Sequence, residues 1–434
     1  MLHVQRSPRR FCDGISRRGF LTAGAWAAGG LTLADLLRAD ALAATTSPGA
    51  SRRPKSLINI CLPGGPSHLD MFDLKPNAPA EVRGEFNPID TVVPGFQICE
   101  HMPELAKIGD KISVVRSIVD ASNEHSTNQS DSGWPEKSLR NIGGRPGVGA
   151  VMSKLAGPAG DCPVAAVALN GHTSPGFLGQ SLRDFQPGTA ARNTLKLNMT
   201  EERLNDRTAL LGSLDRFRRD ADNSGAMKAM DRFTQDAIDV VTSPKFSDAL
   251  DTSKESESGR RRYYQNEDMR GSNQSLLTAR RLVEAGVRVV SLTWGGWDTH
   301  QDNFKSLKRS LPRLSVGLSA LIYDLQERGM LEDTIIMMSG EFGRTPRINS
   351  GAGRDHWPAA SFVFLAGGGM RHGQFIGSTD RLGGKPEQRP IHLQQVFATV
   401  YRKLGVDVDS AQLIDSAGRP QYVVDHREPI RELI

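Results

Sequence analysis

The strongest limit on this chain comes from three short, mostly apolar runs, with one long amphipathic segment between the first two. Residues 287–294 (VRVVSLTW), 334–339 (TIIMMS) and 361–366 (SFVFLA) are too short for helices of a core and are mostly apolar, broken inside only by Arg288, Ser291 and Thr293 of the first. Between the first two, residues 306–329 space Leu307, Leu311, Leu314, Leu318, Leu321 and Leu325 at helical intervals. Strand, helix, strand with strands apolar on both faces predicts an α/β fold: a mostly parallel central sheet with helices on both faces. Residues 57–62 (LINICL), 112–118 and 164–169 read as further buried strands, the first stopping at Pro63-Gly64-Gly65 and the third at Asn170-Gly171. From about 200 to 285 the chain turns long, charged and helical, a helical insertion. Its interruption at 243–259, rich in Ser, Asp, Glu and Pro, reads as an exposed linker or hairpin.

The first 43 residues follow another logic. Ser16-Arg17-Arg18-Gly19-Phe20-Leu21 sets an arginine pair before a bulky apolar pair, Thr22 to Leu33 is low in charge, and Ala41-Leu42-Ala43 is a small-x-small cleavage pattern. Gly24, Gly29 and Gly30 each cost a soluble helix roughly 1 kcal/mol against Ala, and the apolar stretch is short of the ~20 residues that cross a bilayer. Residues 1–43 are thus read as a twin-arginine signal peptide and 44–55 as a disordered tether. The remaining 56–434 is read as one domain, placed in the periplasm or secreted after handling by the twin-arginine (Tat) export machinery, which usually carries folded cargo.

Charge and cysteine content exclude some classes. The formal charge is +5, but the signal region holds six Arg and three Asp, leaving 48 basic and 46 acidic residues. The basic balance is partly a property of the signal, and no nucleic-acid footprint remains. Past the signal region, Cys61, Cys99 and Cys162 are scattered and odd in number, which is no disulfide framework and no zinc knuckle. No segment after the signal is apolar enough to span a membrane.

In parallel sheets, functional loops gather beyond the strand C-termini, and here those loops are polar. GGPSHLDMFD carries His68 and Asp70; SNEHSTNQSDSGWP carries His125, Ser126, Thr127 and Asp131; GGWDTHQDN carries Asp298 and His300; SGEFGRTP carries Glu341 and Arg344; GRDHWP carries Asp355 and His356. Asp, Glu and His are ligands for divalent metals, zinc foremost, manganese or calcium as alternatives. Such ions can clamp an ester oxygen and promote attack by a hydroxyl or water. Asp298 and His300, two apart, face the same side of an extended segment. Glu341 at the end of an apolar strand is costly unless it has a ligand or a partner such as Arg344, and Arg344 could instead fork onto phosphate or sulfate. The bland readings are that His68 and Asp70 cap a turn and that Asp355 and His356 pair structurally beside Trp357. His101, His172, His372 and His392 lack such company and read as structural or surface residues.

GGPSHLDMFDLKP, PGFLG, GGWDTHQDN, SGEFGRTP and GRDHWP, in this order behind a twin-arginine signal, resemble the DUF1501 family of uncharacterised exported bacterial proteins, from about residue 57 to 406. The resemblance implies the alkaline phosphatase-like superfamily, with sulfatases and phosphopentomutases, whose active members hold a divalent metal pair. It puts Asp70, Asp298, His300, Glu341 and His356 at metal-binding positions; Phe342 stands where a His is usual. The C/S-x-P-x-R nucleophile motif of sulfatases is absent, and by position Ser126 or Thr127, beside His125, is the place to look for a nucleophile. The expected activity is metal-dependent hydrolysis of phosphate or sulfate esters on a small molecule or polysaccharide. The alternative is a catalytically inactive binding or assembly protein of the same fold at the cell envelope.

Overall fold

The computed structural model describes residues 55–171, 173–187, 239 and 242–434. The signal region, all of the tether but Lys55, His172 and residues 200–238 of the helical insertion lie outside them.

Eight strands form one sheet: β1 (Ser56–Cys61), β2 (Ile112–Val119), β3 (Ala166–Ala168), β4 (Val289–Thr293), β5 (Thr334–Ser339), β6 (Ser361–Gly367), β7 (Gln374–Ile376) and β8 (Ile391–His392). Their order is β7-β2-β6-β5-β1-β4-β3, with β8 also beside β2. β1 sits between β4 and β5, parallel to both, Ile58 lying opposite Val290 and Ile336. β6 runs antiparallel to both its neighbours, β5 and β2, while the other pairings are parallel.

Successive strand side chains leave opposite faces, and both faces are covered here. Ile58, Ile60, Val290, Leu292, Ile336 and Met338 join one core with Leu276 and Leu282, and with the expected leucine series from Leu307 to Leu325. Leu57, Val289, Ile335 and Met337 join a second core with Val148, Val151, Val396 and Val400. The helices concerned are α1 (Val148–Leu155), α2 (Glu267–Ala285), α3 (Asn303–Glu327) and α4 (Leu393–Lys403). This two-sided burial is why the strands are mostly apolar. Each such Leu, Ile or Val contributes roughly 1.5–3 kcal/mol on burial.

Residues 243–259 depart from the expected exposed linker. Ser243 caps a helix, Pro244–Leu250, its hydroxyl accepting from the Phe246 N–H, and Ser256 likewise caps Glu257–Tyr263 by accepting from Gly259. Phe246, Ala249 and Leu250 are buried in the first core. The Ser, Asp and Pro that suggest a linker serve here as helix caps and first-turn residues. The three described cysteines, Cys61, Cys99 and Cys162, are free and buried. No helix among the described residues is long and apolar enough to cross a membrane.

The reversed strand matters for function. A segment leading into a parallel strand would approach from the rim opposite the strand C-termini. Because β6 is antiparallel, its lead-in (Asp355, His356) arrives at the same rim as the loops that leave β1, β2, β4 and β5.

Candidate metal centre

At that rim His125, Asp298 and His356 each offer a donor atom, all within 4.8 Å of one another. Three loops from distant parts of the chain supply them, following β2, following β4 and preceding β6. His300 and Glu341 close around this trio. Nε2 of His300 lies 3.1 Å from Asp298 Oδ1 and 3.0 Å from His356 Nε2. His125 reaches Asp298 Oδ2 at 3.6 Å and Glu341 Oε1 at 3.5 Å through its two ring nitrogens. Imidazole nitrogens this close are compatible if one is an N–H and the other a lone pair, or if lone pairs share a cation.

The surroundings aim these groups. Asp355, itself exposed, accepts from His300 Nδ1 at 2.8 Å, which turns the Nε2 lone pair toward Asp298, a standard arrangement for orienting a metal-binding imidazole. The same hydrogen bond holds the Asp355 carboxyl below its ordinary range. Against the desolvation that would raise it, Arg344 and His356 hold Asp298 below its ordinary range, so it is ionised. Burial keeps the His356 pKa below the usual histidine value, so its ring is neutral and available as a donor near neutral pH. Glu341, buried as its position implies, accepts from the backbone N–H of Gly64 (2.8 Å) and Gly65 (3.3 Å). Phe342 lies under the imidazoles, its ring centroid 4.3 Å from that of His356. Only glycine suits position 64: its φ is +102°, and a Cβ there would fall 2.5 Å from the Asp298 nitrogen.

Other sequence candidates are placed elsewhere. Asp70 is not brought to the trio. It is fully buried and gripped by Arg354, with Nε–Oδ2 2.8 Å and Nη2–Oδ1 2.9 Å, and it also accepts from Ser67 Oγ and Asn303 Nδ2. Its acceptor capacity is used inside the protein. His68 is buried beside it, its Nε2 on the Gly383 carbonyl at 2.8 Å. Arg344 cannot fork onto a substrate: it is fully buried and donates to the carbonyls of Gly64, Gly65, Trp297 and Arg354 as well as to Asp298. It braces the loops that carry the donors. Ser126 and Thr127 line a cleft of about 340 Å³ beside His125, with Asp131, Glu136, Arg140 and Thr173. His125 itself, singled out as a companion to a nucleophile, stands among the donors; its place in the loop after β2 was the signal for it.

The profile of the family described as a protein of unknown function, DUF1501, matches residues 54–434. The chain belongs to the DUF1501 family. No curated protein matches this DUF1501 chain in sequence. Among solved structures, it is similar to the zinc complex of the C-terminal periplasmic domain of EcEptC from Escherichia coli, with 11% identity, TM-score 0.39, and 88% of this chain and 93% of that chain covered. It is also similar to the lipoteichoic acid synthase LtaP from Listeria monocytogenes (9%, TM-score 0.34, 82% and 73% covered). A third is the PsFucS1 sulfatase from Pseudoalteromonas sp. (12%, TM-score 0.36, 83% and 69% covered).

Proposed function

We propose that this DUF1501 protein is an exported, metal-dependent hydrolase of phosphate or sulfate esters. One observation carries the reading: an imidazole–carboxylate–imidazole trio, His125, Asp298 and His356, converges within 4.8 Å at the rim of an α/β sheet. The mixed nitrogen and oxygen donor set fits zinc first, and manganese or calcium less well. His125, Asp298 and His356 would hold the ion, with His300 and Glu341 alongside. When bound, such an ion supplies Lewis acidity to an ester oxygen.

The chain's own residues do the rest. Asp355 fixes the His300 ring, Arg344 holds Asp298 and the Gly64–Gly65 turn in place, and the cleft beside His125 receives the substrate. Its polar wall, with Ser126 and Thr127 hydroxyls and the Arg140 guanidinium, suits an anionic or hydroxyl-rich ester of a small molecule or polysaccharide. The twin-arginine reading of residues 1–43 places that substrate outside the cytoplasm. Two observations favour the second reading, a binding or assembly protein: Phe342 stands where a His is usual, and Asp70 is neutralised by Arg354, which leaves donors for fewer ions.

Elemental analysis of protein purified without added metal, with turnover of aryl phosphate and aryl sulfate esters, decides between them. The hydrolase reading expects near-stoichiometric metal, lost together with turnover in the Asp298→Ala, His356→Ala double variant. A folded protein free of metal that cleaves neither ester would refute it.

A further inference from the structure

Beneath the cleft lies a second polar cluster that the trio does not use. Asp131, at the end of the short helix Asn128–Ser132, and Asp184, on the segment that pairs with the outer edge of β3, are both buried. No Lys or Arg among the described residues forms an ion pair with either. Both carboxylates press on the start of α1: a Cβ at Gly147 would lie 1.8 Å from Asp131 Oδ2, and one at Gly149 2.3 Å from Asp184 Oδ1. Burial, reinforced by Asp184, raises the Asp131 pKa well above the ordinary range, and burial takes Asp184 up to about 6. Hydrogen bonds from Asn59 and Ser291 to Asp131 offset part of the cost of this burial, but two buried carboxylates with no cation at ion-pair distance are relieved further by a proton or by a cation.

The neighbouring oxygens distinguish the two remedies. Asn59, in the middle of β1, donates through Nδ2 to the Ser130 carbonyl at 3.2 Å and to Asp131 Oδ1 at 3.4 Å, which leaves its Oδ1 without a hydrogen-bond partner. Thr173 Oγ1 and Asp184 Oδ2 have no partner beyond the contact between these two side chains, and all three residues are at least nine-tenths buried. Asn59, Thr173 and Asp131 together line a cavity of about 10 Å³, close to the volume of a single water or small ion. A proton shared by the two carboxyls would leave the Asn59 oxygen unused; a cation would engage it together with the Thr173 hydroxyl oxygen. Cys61 also lines this cavity, and burial raises its pKa, so the thiol stays protonated and offers no soft anionic ligand.

We infer that Asp131, Asp184, Asn59 and Thr173 form a second cation site, built of oxygen donors alone and suited to a hard divalent ion such as calcium or magnesium. The site stands apart from the His-containing trio in donor type, so the two can be separated experimentally. It ties β1, the loop after β2 and the start of α1 together under the cleft.

The test uses the full chain carrying Asp298→Ala and His356→Ala, stripped with chelator and titrated with calcium chloride or magnesium chloride by calorimetry and thermal unfolding. One ion per chain and a rise in Tm are expected. Adding Asp184→Asn or Thr173→Val should weaken that binding at least about tenfold. Thr173→Val sits at the cavity edge and decides the matter should Asp184→Asn not fold. A folded double variant that takes up neither ion at millimolar concentration overturns the inference, as does uptake that survives both added substitutions. Failure of the ester-hydrolase reading would leave this outcome untouched, because the trio is already disabled in the test protein.

Discussion

Asp70 and Asp298 each follow a buried strand by a few residues, yet they end in opposite electrical situations. Asp70 is enclosed, its two oxygens engaged by Arg354, Ser67 and Asn303. The Asp298 side chain is 47% exposed and faces His125, His300 and His356, with one buried guanidinium behind it. The difference teaches what separates a structural carboxylate from a reactive one. Asp70 has donors that fill its capacity; Asp298 is surrounded by groups that, like itself, still have lone pairs to give.

The largest effect should come from breaking the closed arrangement. Arg354→Ala leaves Asp70 as an unpaired buried charge and should cost about 3–5 kcal/mol in urea unfolding. A loss below about 1 kcal/mol would mean that water reaches Asp70. The open arrangement should behave the other way round. His125→Ala, which removes a half-exposed donor of the trio, is expected to change metal-free stability by no more than about 1 kcal/mol while weakening zinc binding about a hundredfold, read by competition with a chelating dye. Equal losses in both quantities would erase the contrast. A milder probe is Asp355→Asn, which spares the donors but releases His300: a roughly tenfold loss of metal affinity is expected, and an unchanged affinity would show that His300 needs no such support.

The smallest effect concerns His68, on the closed side. Burial lowers its pKa from the ordinary 6.5, so between its folded value and pH 6.5 the unfolded chain binds more protons. The stability this gives is complete above about pH 6.5 and is lost as pH falls through the folded pKa. The urea midpoint should therefore decline on acidification below pH 6.5, and less steeply in His68→Leu. Identical slopes would remove His68 from the account.

The sheet was largely legible because its strands are buried on both faces, so apolar runs alone mark them; residues 334–339 coincide with β5. Strand direction was not legible, since SFVFLA presents the same side chains whichever way it runs. The polar loops lie beyond the strand ends, but their partners lie far away in sequence. Nothing near GGPSHLD announces Arg354, 284 residues on, or distinguishes it from Asp298, whose neighbours are imidazoles. Arg344 misled for the same reason: a Gly-rich turn before Pro looks exposed, yet backbone carbonyls from two other loops and from the far end of its own enclose it. The cavity under the cleft gave little sequence signal, because Asn59 sits inside an apolar strand and Asp184 in an unremarkable loop.

The antiparallel return of β6 beside β5 has a consequence for how this framework can diversify. Residues 340–360 leave one strand and re-enter its immediate neighbour, so both anchor points are held by a single ladder of backbone hydrogen bonds. Lengthening or exchanging the middle of that excursion, around residues 348–352, changes loop-closure entropy only slowly with length and leaves the sheet order intact. Related chains can thus be expected to vary in the middle of this excursion, around residues 348–352, while the motifs on either side of it stay in place, and a transplant of that middle between them is an economical route to a new preference.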